Sequence, residues 1–106
     1  MKKLLSLLAV AGIAAAVAVP SFASTKTIKI GDNFFSPKSV TVSRGTTVKW
    51  VFKGQVAHNV TVTKGTVKFH STTKSSGSYS HKMTRGGTYK IVCTIHPGMA
   101  MTLKVR

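Results

Sequence analysis

From residue 24 onward apolar and polar side chains alternate, and no stretch carries the roughly 3.6-residue apolar period of an amphipathic helix. Ile28 and Ile30 flank Lys29, and Asp32-Asn33 and Ser36-Pro37 punctuate a turn region around Phe34 and Phe35. Val40 and Val42 form a second short strand, closed by Ser43-Arg44-Gly45. Val48, Trp50 and Phe52 line one face of a third, which Gly54 breaks. His58, Val60 and Val62 share one parity as far as Gly65, and Val67 with Phe69 makes a short further piece. Ser71 to Ser78 reads as a polar loop without a core residue. Tyr79, His81 and Met83 alternate with polar neighbours up to the Arg85-Gly86-Gly87 turn; Tyr89, Ile91 and Cys93 then share a face, as do Leu103 and Val105. Short strands separated by Gly, Pro or Ser turns at intervals of about 8 to 12 residues predict an all-β sandwich of about seven or eight strands. The pattern contains no internal repeat, linker or second domain.

The first 23 residues are patterned differently. Lys2 and Lys3 precede an uncharged apolar run of 16 residues, Leu4 to Val19, followed by Pro20-Ser21-Phe22-Ala23. This is the layout of a secretory signal with a cleavage point after Ala23. The apolar run is short for a full membrane span. The expected organisation is a signal peptide over residues 1–23 and one domain over residues 24–106, exported to the periplasm or an equivalent compartment. Contact with a membrane is expected only if the leading segment stays uncleaved.

Charge sharpens the choice of partner. Lys and Arg number 16 against a single acidic residue, Asp32, for a formal charge of +15. Without Lys2 and Lys3 the domain keeps 14 basic side chains and a formal charge of +13. Such a surface repels basic partners and attracts acidic ones. The basic residues are scattered through strands and turns, and with export this argues against nucleic acid as a partner. The single cysteine, Cys93, rules out a disulfide within the chain, and in an oxidising compartment it points to a metal ligand, a reactive thiol or an intermolecular bridge.

The candidate chemistry lies in Cys93-Thr94-Ile95-His96-Pro97-Gly98-Met99-Ala100-Met101, which places a thiol, an imidazole and two thioethers within nine residues. Cys93 alone is compatible with an inert, buried thiol. His96 three residues later, followed by Pro97, Gly98 and a Met, is hard to explain by packing. A thiolate, two imidazoles and a weak thioether form a ligand set suited to copper. Zinc has little use for Met, and a Cys-His nucleophilic dyad lacks an orienting third group in a chain with one carboxylate. Strand parity supplies the second imidazole, because His58 opens the Val60-Val62 face as Cys93 ends the Tyr89-Ile91 face, turning both inward. His70 should face solvent; His81 shares the Tyr79-Met83 face and reads as a partly buried histidine without a ligand role.

The chain resembles the cupredoxins, in particular the small plastocyanin, amicyanin and pseudoazurin group. The resemblance covers residues 25 to 106 and rests on Phe35 to Val42 (Phe-x-Pro-x-x-Val-x-Val), Gly45-Thr-Thr-Val-Lys-Trp50, His58-Asn59-Val60, Gly87-Thr88-Tyr89 and Cys93-x-x-His96-Pro97-Gly98-Met99. It implies a cupredoxin-like Greek-key sandwich with His58, Cys93 and His96 as equatorial ligands of one mononuclear type 1 copper. The axial ligand implied by amicyanin-like loops is Met99; plastocyanin- and pseudoazurin-like loops would select Met101. The family's apolar positions in the final strand match Leu103 and Val105 when Met99 is chosen. Asn59 is implied to tie the His58 segment to the Cys93 loop. Ala57 stands where a Pro often precedes the first ligand, and His81 occupies a usually apolar position. The implied function is that of an exported, monomeric carrier without enzymatic activity, passing electrons transiently to an acidic redox protein such as a cytochrome or dehydrogenase. The alternative is a periplasmic copper-handling or copper-resistance protein of the same fold.

Overall fold

The structure, a computed structural model, describes residues 24–106, so the expected signal segment lies outside the described residues. The alternating pattern gives eight strands: β1 (Thr25–Gly31), β2 (Phe34–Ser36), β3 (Ser39–Val42), β4 (Thr47–Phe52), β5 (Thr61–Lys64), β6 (Ser78–Lys82), β7 (Gly87–Val92) and β8 (Ala100–Val105). They form two four-stranded sheets, ordered β2-β1-β4-β6 and β3-β8-β7-β5. Neighbours run antiparallel except β1 with β4 and β3 with β8. This is the predicted all-β sandwich.

Alternation decides what is buried. Ile28, Ile30, Val48 and Trp50 of one sheet join Tyr89, Ile91 and Leu103 of the other in a single core, all without solvent exposure. Lys29, Lys49, Lys90 and Lys104, one position out of phase, stay outside. Truncating one of these buried aliphatic side chains to Ala would cost about 2–5 kcal/mol. Tyr89 reaches back with its O–H to donate to the Arg85 carbonyl at 2.8 Å, pinning the turn between β6 and β7.

Two local expectations change. The Phe34-Phe35 region is a short strand instead of a turn: Asp32 and Asn33 make the turn, Asn33 adopts φ 70°, and Phe35 pairs with Ile30. Asn tolerates that left-handed conformation better than most residues. The His58–Val60 segment is irregular, with β5 beginning at Thr61 and His58 held by an isolated bridge to Lys74. Backbone groups that leave a ladder still need partners. The 71–78 loop supplies them: as expected it adds nothing to the hydrophobic core, but Ser71 is buried, its Oγ accepts the Val60 N–H at 2.9 Å and its N–H donates to the Val60 carbonyl at 2.8 Å.

His70 is exposed and His81 half-buried, as their parity predicts. The His81 ring stacks on Phe69, with centroids 3.9 Å apart and an interplanar angle of 11°. Burial there disfavours the imidazolium and lowers the His81 pKa from its ordinary value of 6.5. The unfolded chain therefore takes up this proton more readily, and the stabilising contribution of neutral His81 is complete above that pH and erodes below it. Replacement His81→Phe should give a stability difference from the parent that grows in the variant's favour as pH falls from about 8 to about 5. Chemical denaturation across that range reads it, and a pH-independent difference would contradict the assignment.

Candidate metal centre

Strand β7 delivers Cys93 to one end of the sandwich, where the inward parity of Tyr89 and Ile91 continues and leaves the thiol buried. The chain then leaves the sheet and returns as β8, with Val92 paired to Ala100 at the base of the loop. Inside that base the Cys93 N–H donates to the Met99 carbonyl at 3.0 Å, and the Met99 N–H donates to the His96 carbonyl at 3.1 Å. Gly98 takes φ 86°, which a side chain there would strain. The loop is therefore closed on itself and presents His96 from its middle.

The second imidazole arrives from the irregular segment before β5. His58 has no solvent exposure, while His96 is half-buried. The two Nδ1 atoms lie 3.0 Å apart; Cys93 Sγ is 3.4 Å from His96 Nδ1 and 3.9 Å from His58 Nδ1. Donor atoms of His58, Cys93 and His96 all fall within 4.8 Å of one another, a spacing that could hold one metal ion. The structure thus brings together the three residues that sequence reasoning grouped. His70 and His81 stand apart from them, the former on an isolated bridge to Thr61 and the latter against Phe69.

Met99 and Met101 are both buried, but they differ in their surroundings. The Trp50 indole N–H donates to Met101 Sδ at 3.4 Å, which commits that thioether to the core. Met99 closes the Cys93 loop through its backbone.

Asn59 joins the two segments that carry the donors. Its amide donates to Thr94 Oγ1 at 2.9 Å and Thr73 Oγ1 at 3.2 Å. Its oxygen accepts from the Thr94 N–H at 3.1 Å and the Thr61 hydroxyl at 2.8 Å. Sequence reasoning missed a further contact: Asp32 Oδ1 lies 3.0 Å from His58 Nε2. Hydrogen bonds from the Gln55 backbone, then from His58 and from the Val56 backbone, lower the Asp32 pKa to about 2. The signal that could have found it is that this is the chain's only carboxylate side chain.

One cysteine sulfur and two imidazoles, preassembled with His58 and Cys93 buried and His96 half-buried, fit copper by ligand softness and number. A structural zinc site would want a fourth strong ligand, and among the described residues no further His, Cys or carboxylate joins the group.

Comparison with known proteins agrees with that chemistry. Residues 23–106 match the family described as copper binding proteins, plastocyanin/azurin family. In three dimensions the chain is similar to a purple cupredoxin from Nitrosopumilus maritimus, with a TM-score of 0.70 and 24% identity over 76% of this chain and 99% of that one. It is similar to amicyanin from Paracoccus versutus with a TM-score of 0.65 and 28% identity, over 87% of this chain and 89% of that one. A copper-containing nitrite reductase from Thermus scotoductus also matches, with a TM-score of 0.71 and 25% identity over 87% of this chain but only 25% of that one. The sandwich, the clustered donors and the family match over the whole described region lead to one conclusion: the chain belongs to the plastocyanin/azurin family of copper binding proteins.

Proposed function

We propose that the protein is an exported electron carrier with one type 1 copper held by His58 Nδ1, Cys93 Sγ and His96 Nδ1, and by Met99 as the axial ligand. The observation that carries this reading is the convergence of those two nitrogens and the sulfur at one end of the sandwich. Copper bound there supplies a one-electron couple between Cu(II) and Cu(I). The choice of Met99 is supported by the prior engagement of Met101 with Trp50.

The chain's own residues account for the rest. The closed Cys93–Met99 loop and the Asn59 bonds restrict the donors, which limits how far they rearrange when the charge at the site changes. His58 and Cys93 are buried, whereas His96 reaches the surface and offers the exit for an electron. Ile95 and Val56, each close in sequence to a donor histidine, are exposed apolar side chains suited to a brief contact. Basic side chains around the domain would steer an acidic redox protein, an effect on encounter rate that falls with ionic strength. Three strong protein donors and a thioether leave no position for a substrate, which favours a carrier over an enzyme. Similar amicyanin variants are described in reduced and in oxidised states, in keeping with a redox role. Export is supported by the signal-like pattern of residues 1–23.

Adding Cu(II) to the metal-free protein should produce an intense blue colour from thiolate-to-copper charge transfer; a colourless copper complex would contradict the proposal. Replacing Met99 by Gln should shift that spectrum and the reduction potential, while Met101→Gln should mainly lower stability; the reverse pattern would make Met101 the axial ligand. Removing the Asn59 carboxamide with Asn59→Ala leaves the Thr94 N–H without its acceptor and should cost about 1–3 kcal/mol in denaturant unfolding of the metal-free protein. An unchanged midpoint would show that the two donor segments do not depend on that tie.

A further inference from the structure

The one acidic side chain in the sequence is folded against a histidine of the metal centre. Asp32 lies in the turn between β1 and β2 and reaches across to the segment that leads to His58. The Gln55 N–H donates to both carboxylate oxygens at 2.9 Å, and the Val56 N–H donates to Oδ1 at 3.2 Å. His58 Nε2 faces the same Oδ1 at 3.0 Å. Gly54 makes room for this arrangement. A Cβ at that position would overlap Asp32 Oδ1 and come within 3.1 Å of His58 Nε2.

The chemistry of the pair fixes a tautomer. A carboxylate accepts hydrogen bonds and does not donate them, so the facing nitrogen of a neutral imidazole carries the proton. With Nε2 protonated, the lone pair of His58 sits on Nδ1, the atom directed at Cys93 Sγ and His96 Nδ1. Outer partners of this kind orient ligand histidines and raise their basicity. The negative charge also has a preferred oxidation state. Together with a Cys93 thiolate it balances a dication, whereas it leaves a monocation overcompensated. No other carboxylate side chain in the sequence could take over this part.

We infer that Asp32 is a positioning residue of the centre, which selects the His58 tautomer that presents Nδ1 and favours the oxidised ion. The inference rests on the proposed ligation through His58 and extends it to the tuning of the site.

Two variants separate orientation from charge. Asp32→Asn keeps an oxygen that can accept from Gln55, Val56 and His58 but removes the charge; Asp32→Ala removes both. In the metal-free wild type, nitrogen NMR of the His58 ring should show the proton on Nε2. The Asn variant should keep that tautomer, and the Ala variant should populate both. In the copper-loaded proteins, Asp32→Asn should raise the reduction potential, with a tenfold change in the Cu(II)/Cu(I) affinity ratio read as about 59 mV for one electron. Asp32→Ala should in addition weaken copper affinity about 10- to 100-fold. If the Ala variant does not fold, the wild-type tautomer and the Asn potential still decide. A wild-type His58 protonated on Nδ1, or an Asn variant with unchanged potential, overturns the inference while leaving an intact blue centre in place. A wild type that forms no copper centre overturns the ligation itself, and with it the tuning.

Discussion

A single carboxamide holds the two halves of the metal centre together. Asn59 and Thr94 are 35 residues apart in sequence, yet they exchange two hydrogen bonds, one in each direction. Asn59 immediately follows His58, and Thr94 immediately follows Cys93. The tie therefore acts on the backbone next to a donor on both sides. Asn59 is buried, and its remaining polar capacity is taken by Thr61 and Thr73, so it forms a satisfied network at the end of the sandwich. Networks of this kind are stiff because breaking one bond strands several buried groups. The spacing of the donors follows from this constraint and from the closed Cys93–Met99 loop.

Around that fixed point the charge distribution has two scales. At long range the domain is overwhelmingly basic, which governs encounter with other molecules. At short range the sole carboxylate side chain is turned toward His58 and held by backbone donors. These scales do not compete, because the local contact acts on a donor histidine 3.0 Å away, while the lysines act through solvent where salt screens them. The domain is thus basic overall, while its one carboxylate side chain lies against a donor histidine.

Much of the fold and of the centre is legible in the sequence, for physical reasons that can be named. The period-two pattern assigns side chains to the core face, and that parity turns Cys93 inward. His58 is buried as the pattern predicts, but from an irregular segment in which Asn59 and Val60 are buried as well, so its placement does not follow from strand parity. Loop chemistry identifies His96, since Pro97 and Gly98 enforce a turn that packing alone would not require. The contacts that sequence reasoning does not reach are all tertiary. Trp50 and Met101 are 51 residues apart, and nothing in either local pattern signals that the indole N–H finds that sulfur. Asp32 and His58 are 26 residues apart, joined only because the β1–β2 turn folds against the segment after β4. Ser71 looks like an ordinary loop residue until the irregular His58–Val60 backbone needs partners. Alternation specifies faces, but it does not specify which loop covers a given strand end.

For the proposed carrier, everything turns on donors that are in place before the metal arrives and stay there when its charge changes. X-ray absorption spectroscopy at the copper edge, on the oxidised and the reduced protein, tests this most directly. One short sulfur and two nitrogen neighbours are expected in both states, with little change in their distances. Loss of a nitrogen neighbour on reduction, or a coordination shell dominated by oxygen, would contradict it.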